Sequence, residues 1–207
     1  RRDNPANSRN MVRITLWFCF SGLLWAAGVW RGEDERLGWW ALAVLLEYCG
    51  PMAMFRVPGL GKSNTSDWDI SGSHMAERCG LFIIIALGEG IVVTGSSVAG
   101  AELVDGGLLG ALGVAFAGSA LMWWLYFDLG AERGARLMSG NADVGRLARN
   151  AYTYLHMPIV LAIIICAVGD ALLLERWNEP AGRDLVLVQT GGLMLFIGGL
   201  AAFKRYA

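Results

Sequence analysis

Six long apolar runs, separated by shorter polar segments, set the pattern of this chain. Each run has about the 17 to 25 residues that a helix needs to cross a bilayer. The runs are continuous and do not alternate as the strands of a membrane barrel do. The sequence therefore predicts an all-α, polytopic transmembrane bundle that forms a single domain over 1–207. The predicted spans are 11–30, 38–55, 81–98, 108–127, 152–174 and 185–203.

The charged residues between the spans predict the orientation of the bundle. Of the 17 Lys and Arg residues, 13 fall on one side of the membrane and four on the other. Cytoplasmic segments carry the excess of Lys and Arg, so both termini are predicted to be cytoplasmic. Charged residues make up 17% of the chain, against about a quarter in soluble domains. They form no concentrated basic patch of the kind that binds nucleic acid.

The third span carries an ionisable residue near its middle. Glu89 occupies a position where an Asp would cost about 2.5 to 3.5 kcal/mol, and the apolar neighbours offset a cost of this size. At 100° per residue, Glu89 shares an arc of about 120° with His74, Glu77 and Arg78. Lipid offers no partner to charge, so we expect this arc to face the bundle. Residues opposite it, such as Ile83, should face outward or pack against apolar neighbours.

Two other spans carry a polar side chain beside a proline. Glu47 lies near the middle of the second span, and Pro51, which has no N–H, deprives the Glu47 carbonyl of its helical partner. In the fifth span Pro158 likewise frees the carbonyl of Tyr154, and His156 lies between them. Freed carbonyls are tolerated where they face protein or water. Both positions are therefore candidates for polar sites inside the membrane.

Each of these polar positions also has a structural interpretation, which the sequence leaves open. The carboxyls near the middle of their spans can be protonated and join two helices by a hydrogen bond. Glu77 and Arg78 can form an ion pair at the membrane surface. Asp128, at the inner end of the fourth span, and Asp170, near the outer end of the fifth, can be end-of-helix charges in headgroup water. His156 can simply bind a freed carbonyl.

No group of residues has the spacing of a catalytic or metal site. The four cysteines form no CxxC pair, and the two histidines suggest no catalytic set. The segment 59–63 resembles the end of a phosphate-binding loop, but Arg56 stands where the first glycine of that motif belongs. The sequence therefore predicts no enzyme activity, cofactor or metal.

Three groups of residues carry a family resemblance. They are His74-x-x-Glu77-Arg78-x-Gly80-Leu81-Phe82 with Ile84-Ile85-Ala86-Leu87-Gly88-Glu89, Tyr126-Phe127-Asp128, and Tyr152-x-Tyr154-Leu155-His156-x-Pro158-Ile159 with Ala167-Val168-Gly169-Asp170. Together they resemble the bacterial low temperature requirement protein A (LtrA) family of membrane proteins. The family commonly has Ser where this chain has Gly90, and its members are longer, with an early span bearing a Phe-Phe-Asp motif. The resemblance implies a multi-pass protein of the bacterial cytoplasmic membrane, of which this chain is the later part.

The leading functional hypothesis is transport or conduction of a small ion, linked to protons. In this interpretation Glu47 and Glu89 are the groups near the membrane midplane. The residues at the inner mouth are His74, Glu77, Arg78, Asp128 and His156. The alternative is a non-transporting structural or stress-response membrane protein. The implied partners are the lipid bilayer and small cations or protons, while the oligomeric state stays open.

Overall fold

The computed structural model of the protein describes residues 5–64, 72–101, 104–128 and 144–206, and these are helical almost throughout. The helices are α1 (Pro5–Trp30), α2 (Glu33–Met52), α3 (Gly72–Ala99), α4 (Gly106–Tyr126), the one-turn helix α5 (Val144–Leu147), α6 (His156–Glu175) and α7 (Arg183–Tyr206). A π-helical segment, Ala148–Tyr154, leads from α5 into α6. The only strand-like pairing in the described ranges is an isolated bridge between Val57 and Gly61. The predicted all-α class is confirmed.

The chain divides into two compact units, Arg1–Asp69 and Ile70–Ala207. The first contains the hairpin of α1 and α2 with the loop that follows it. The second contains α3 to α7. The expectation that 1–207 forms a single transmembrane domain stays a prediction.

Small residues allow the helices of the first unit to approach closely. The Gly32 carbonyl accepts hydrogen bonds from the backbone N–H groups of Glu35 and Arg36, which begins α2. A Cβ atom at Gly28 of α1 would lie 2.6 Å from the Trp40 indole of α2. This close approach of the two helices therefore depends on a glycine at position 28.

The loop after α2 folds back against α1. The chain leaves the helix through two left-handed residues, Met54 (φ 51°) and Phe55 (φ 46°). The Phe55 ring meets Trp17 of α1 edge-on, with the ring centroids 6.3 Å apart. Further along, Gly59 (φ 80°) and Gly61 (φ 76°) adopt the backbone conformation that glycine favours. The loop is thus a defined turn that packs beside Trp17 of α1.

Helix α6 is central to the second unit, where it packs against α3, α4 and α7. Helices in lipid associate largely through van der Waals packing, which small residues at the interface improve. A Cβ atom at Gly192 of α7 would lie 2.7 Å from the Cys166 sulfur, and one at Gly199 would lie 2.9 Å from Ile159. The core around this contact includes Ile83, Leu87, Met122, Tyr126, Ile163, Phe196, Leu200 and Phe203.

Five helical stretches in the described residues are long and apolar enough to cross a membrane. They are Asn7–Trp30, His74–Ala99, Gly106–Tyr126, Gly145–Glu175 and Arg183–Tyr206. Helix α2 has 20 residues and an acidic first turn, and it carries Glu47 within its apolar part. These charges explain why α2 is less apolar than the other predicted spans. The orientation of the bundle stays a prediction.

The inward face of α3 differs from the predicted one. Ile83, Leu87, Gly90 and Thr94 are buried, at spacings of four, three and four residues that define one helix face. Glu89 is exposed, and so are His74 and Glu77. Within the described chain, the prediction that the polar arc faces the bundle is wrong. The physical reason is close packing, because an apolar stripe of small and branched residues fits against α6 better than long charged side chains do.

Candidate functional site

Glu47 of α2 is half-buried and is held by two donors from α1. The Ser21 hydroxyl and the Trp25 indole N–H both donate to its Oε1 atom, the indole over 3.0 Å. Ser21 and Trp25 are four residues apart and so lie on the same face of α1. Trp40 supports Trp25, since its indole N–H donates to the Trp25 carbonyl over 3.3 Å. The Glu47 carboxyl group therefore joins α1 to α2 by hydrogen bonds.

Glu89 has a different environment. It is exposed, and no residue of the described ranges forms a hydrogen bond or ion pair with it. Its side chain lines a groove of about 500 Å³ between α3 and α6. Apolar side chains such as Phe82 and Ile164 form most of the wall, and Glu175, the last residue of α6, is the second carboxylate in the groove. Glu89 is thus a carboxylate in an apolar groove, without a hydrogen-bond or ion-pair partner among the described residues.

Gly90 sets the distance between the two walls of this groove. A Cβ atom at position 90 would lie 3.2 Å from the Cβ atom of Ala167 on α6. That separation is tighter than ordinary van der Waals contact. The glycine that departs from the usual serine of the family resemblance therefore lets α3 approach α6 beside Glu89.

The polar residues at the start of α3 form a small exposed cluster. Arg78 Nε donates to His74 Nε2 over 3.2 Å. His74 Nδ1 lies 3.8 Å from Glu77 Oε2, and both side chains are well exposed. Exposed pairs of this kind contribute about 0.2 to 1 kcal/mol at most. Asp128, which follows α4, is exposed as well.

His156 lies in the core of the second unit, with partners at both ring nitrogens. Its Nδ1 is 2.9 Å from the Ala151 carbonyl oxygen, and its Nε2 is 2.9 Å from the Tyr126 hydroxyl. A carbonyl only accepts, so Nδ1 carries the hydrogen, and the Tyr126 hydroxyl donates to Nε2 of the neutral ring. The Tyr152 ring stacks on the imidazole at a centroid distance of 5.2 Å. The carbonyl that His156 binds belongs to the π-helical segment and is not that of Tyr154.

Asp170 is buried, which the interpretation as a headgroup charge did not anticipate. Its side chain is 5% exposed, and Gln189 Nε2 of α7 donates to its Oδ1 atom over 3.0 Å. A Cβ atom at Gly169 would overlap the Gln189 side chain. The Gly169-Asp170 pair therefore joins α6 to α7. The signal in the sequence was Gln189, a polar residue within the predicted sixth span.

The predicted site residues do not form one cluster. His74, Glu77 and Arg78 come together at the start of α3, Glu47 belongs to the first unit, and His156 is enclosed. Glu89 alone combines an apolar setting, an open groove and no fixed partner among the described residues. A carboxylate in such a setting can meet a cation that enters the groove.

These helices and their membrane-spanning length define an integral membrane protein of the α-helical class. The chain belongs to the bacterial low temperature requirement A (LtrA) family, whose sequence profile matches residues 1–207.

A curated protein is also similar to this chain over almost its whole length. Uncharacterized protein RA0937 of Rhizobium meliloti (strain 1021) is 36% identical over 205 residues. The match covers 99% of this chain and 50% of that protein, so the chain spans about half the length of this curated relative. No solved structure matches the chain.

Proposed function

We propose that this protein is a transporter or channel of the bacterial cytoplasmic membrane for a small cation, linked to protons. Glu89 is the carboxylate that gains and loses the proton. The observation that carries this proposal is the open position of Glu89 in the groove between α3 and α6, with no partner among the described residues. An ionisable residue within a membrane helix is costly and is therefore a candidate for function.

The proposed path follows the groove. His74 begins the membrane-length stretch His74–Ala99, and Glu89 lies 15 residues further, or roughly 22 Å along the helix. On α6 the groove reaches Glu175 at the end of the helix. The proposal requires a further wall over the groove, because hydrocarbon cannot solvate a moving cation. The RA0937 relative has a comparable length of polypeptide beyond the part that matches this chain.

The alternative, a non-transporting structural protein, also has support. The groove walls are apolar apart from Glu89 and Glu175. Glu47 and His156 are held by hydrogen bonds that join elements of the structure. In this alternative a lipid chain or another helix fills the groove, and Glu89 transfers no proton.

Paired glutamine substitutions distinguish the two functions. Glu89→Gln keeps the shape of the side chain but cannot titrate, so proton-linked cation flux should fall at least tenfold to the background of empty liposomes. Glu47→Gln is the matched control, because an amide oxygen can still accept from Ser21 and Trp25. Its flux should equal that of the wild type. The measurement is pH-dye and cation-tracer flux in liposomes containing equal amounts of folded protein.

Two results would contradict the transport proposal. Wild-type liposomes without flux above background would favour the structural alternative. Unchanged flux in Glu89→Gln, with flux present in the wild type, would show that Glu89 carries no proton.

A further inference from the structure

The groove between α3 and α6 has the size and shape of a site for an elongated small molecule. Its volume is about 500 Å³, within the range of about 300 to 1,000 Å³ that is usual for ligand sites. On α3 its lining runs from Phe82 to Val93, or roughly 16 Å, and on α6 it runs from Val160 to Glu175, or roughly 22 Å. Both helices belong to membrane-length stretches. A ligand in the groove would therefore lie along the two helices, within the membrane-spanning part of the chain.

Small side chains on both helices create this space. A Cβ atom at Gly90 would lie 3.2 Å from the Cβ atom of Ala167, so the two backbones approach closely at this level. Ala86 of α3 and Ala171 of α6 line the groove one helical turn away from that contact. Because none of these residues has a long side chain, the volume above them stays open.

The charge in the groove is negative and is placed at two separate levels. Glu89 and Glu175 are the polar side chains of the lining, and every other lining residue is apolar or glycine. Glu89 is next to Gly90, which approaches Ala167, and Glu175 lies eight residues beyond Ala167, or roughly 12 Å further along α6. The groove therefore presents one carboxylate in the middle of an apolar surface and a second one at the end of α6.

This arrangement suits an organic cation better than a metal ion. Ca²⁺ and Mg²⁺ take six or more oxygen ligands, and the two carboxylates are the side chains of the lining that carry oxygen. Among the described residues, no three His, Cys, Asp or Glu side chains come together as a metal site requires. An organic cation needs one carboxylate for its charge and an apolar surface for its body. Ile85 and Val93, one helical turn to either side of Glu89, supply such a surface.

We propose that this groove binds an organic cation, whose apolar body packs between α3 and α6 and whose ammonium group pairs with Glu89. A charge in an apolar setting is costly unless it is paired, so the carboxylate and the ammonium group each supply what the other lacks. The inference names the class of cation for the proposed function, and it rests on that proposal in taking Glu89 as the carboxylate that the cation meets.

The test compares two ligands of the same shape. One is phenylbutyltrimethylammonium, a quaternary ammonium whose charge does not depend on pH. The other is its uncharged analogue, in which carbon replaces the ammonium nitrogen. Binding of each radiolabelled ligand to the immobilised protein in a neutral detergent is measured by scintillation proximity. Each ligand is compared only with itself across variants, because its partition into the micelles is then the same.

Two variants change the charge and the space separately. Glu89→Gln removes the charge, and Glu47→Gln is its matched control, since it removes a carboxylate from another apolar helix outside the groove. Val168→Trp fills the groove beside Ala167. Val114→Trp is its control, because Val114 of α4 is 66% exposed, against 50% for Val168, and does not line the groove.

The wild type should bind both ligands saturably, because the apolar walls accept either body. Glu89→Gln should weaken binding of the cation at least about tenfold and change binding of the uncharged analogue by less than about threefold, which also shows that the groove is intact. Val168→Trp should weaken both ligands at least about tenfold, and both controls should stay within about threefold of the wild type. No saturable binding of the cation by the wild type would overturn the inference. Equal effects of Glu89→Gln on the two ligands would also overturn it, because a groove for lipid chains or for another helix makes no use of the ligand's charge.

Flux measurements separate this inference from the proposed function. Sodium flux that depends on Glu89, without binding of the organic cation, would overturn the inference and leave the transport proposal intact. Binding of the organic cation that depends on Glu89, without flux of any cation into liposomes, would support the inference and contradict transport.

Discussion

Glu47 and Glu89 have the same side chain and lie well inside apolar helices, yet their surroundings and hydrogen-bond partners differ. In the first unit Glu47 accepts from Ser21 and Trp25 and joins two helices. In the second unit Glu89 opens into a groove, and no described residue holds it. The difference shows that an intramembrane carboxylate is not by itself a functional site. Its role depends on whether neighbouring helices supply donors.

The neighbouring sequence accounts for this difference. Ser21 and Trp25 place two donors on one face of α1, at a spacing of one helical turn. Around Glu89 the side chains that line the groove on its own helix are apolar, among them Phe82, Ile85 and Val93. We therefore expect Glu47, whose carboxyl group accepts hydrogen bonds from α1, to contribute to stability. We expect Glu89, which lines the groove, to contribute to function.

The largest of these stability effects should come from His156, whose ring is buried and has a partner at each nitrogen. His156→Leu keeps most of the volume but leaves the Tyr126 hydroxyl and the Ala151 carbonyl without their partner. Each buried unpaired group costs about 1 to 3 kcal/mol, so we expect a loss of about 2 to 4 kcal/mol. His74→Leu, at an exposed position, is the control and should change stability by less than about 0.5 kcal/mol. Denaturant unfolding in detergent measures the free energy of unfolding of both variants. Equal losses in the two variants would contradict the expectation that hydrogen-bonded, buried residues contribute more to stability than exposed ones.

A smaller effect is expected when each carboxylate is replaced by leucine. Glu47→Leu leaves Ser21 and Trp25 unpaired and should lower the free energy of unfolding by about 0.6 to 1.7 kcal/mol, the range for hydrogen bonds between membrane helices. Glu89→Leu breaks no hydrogen bond to a described residue, and it removes a costly carboxylate from an apolar helix. Its stability should equal or exceed that of the wild type. A larger loss in Glu89→Leu than in Glu47→Leu would reverse the comparison.

The helical class and most spans were predictable because length and apolar composition decide whether a helix crosses a membrane. The direction in which α3 faces was not. The helix has two possible inward faces, which are the polar arc and the apolar stripe through Ile83 and Leu87. The sequence argument favoured the polar arc, because lipid cannot solvate charged side chains. In the structure the apolar stripe packs against α6, because Gly90 allows a close approach to Ala167. Single-sequence periodicity does not show which partner helix has the complementary small residue.

The partners of individual polar groups were even less predictable. Glu47 was a candidate from its own sequence position, but its donors lie 22 and 26 residues earlier in the chain. For Asp170 the sequence left open the interpretation as an end-of-helix charge in headgroup water, and its contact is with Gln189 on the next helix, 19 residues later in the chain. Contacts of this kind depend on helix rotation, which a difference of one residue changes by about 100°.

The smallest effect should come from Glu77, the exposed carboxylate at the start of α3. His74 Nδ1 and Glu77 Oε2 are 3.8 Å apart, and both side chains are well exposed, so water screens their attraction. Glu77→Gln should therefore change stability by less than about 0.5 kcal/mol.

The same variant tests the predicted inner mouth. An exposed charge acts on passing cations over the Debye length, which falls from about 10 Å at 0.1 M to about 3 Å at 1 M salt. Flux in Glu77→Gln should therefore fall by no more than about threefold at low salt and equal the wild type at 1 M salt. Parallel liposome assays at the two salt concentrations measure this, with Glu89→Gln as the reference for complete loss. A salt-independent loss as large as that of Glu89→Gln would place the obligatory carboxylate at the start of α3 instead of in the groove.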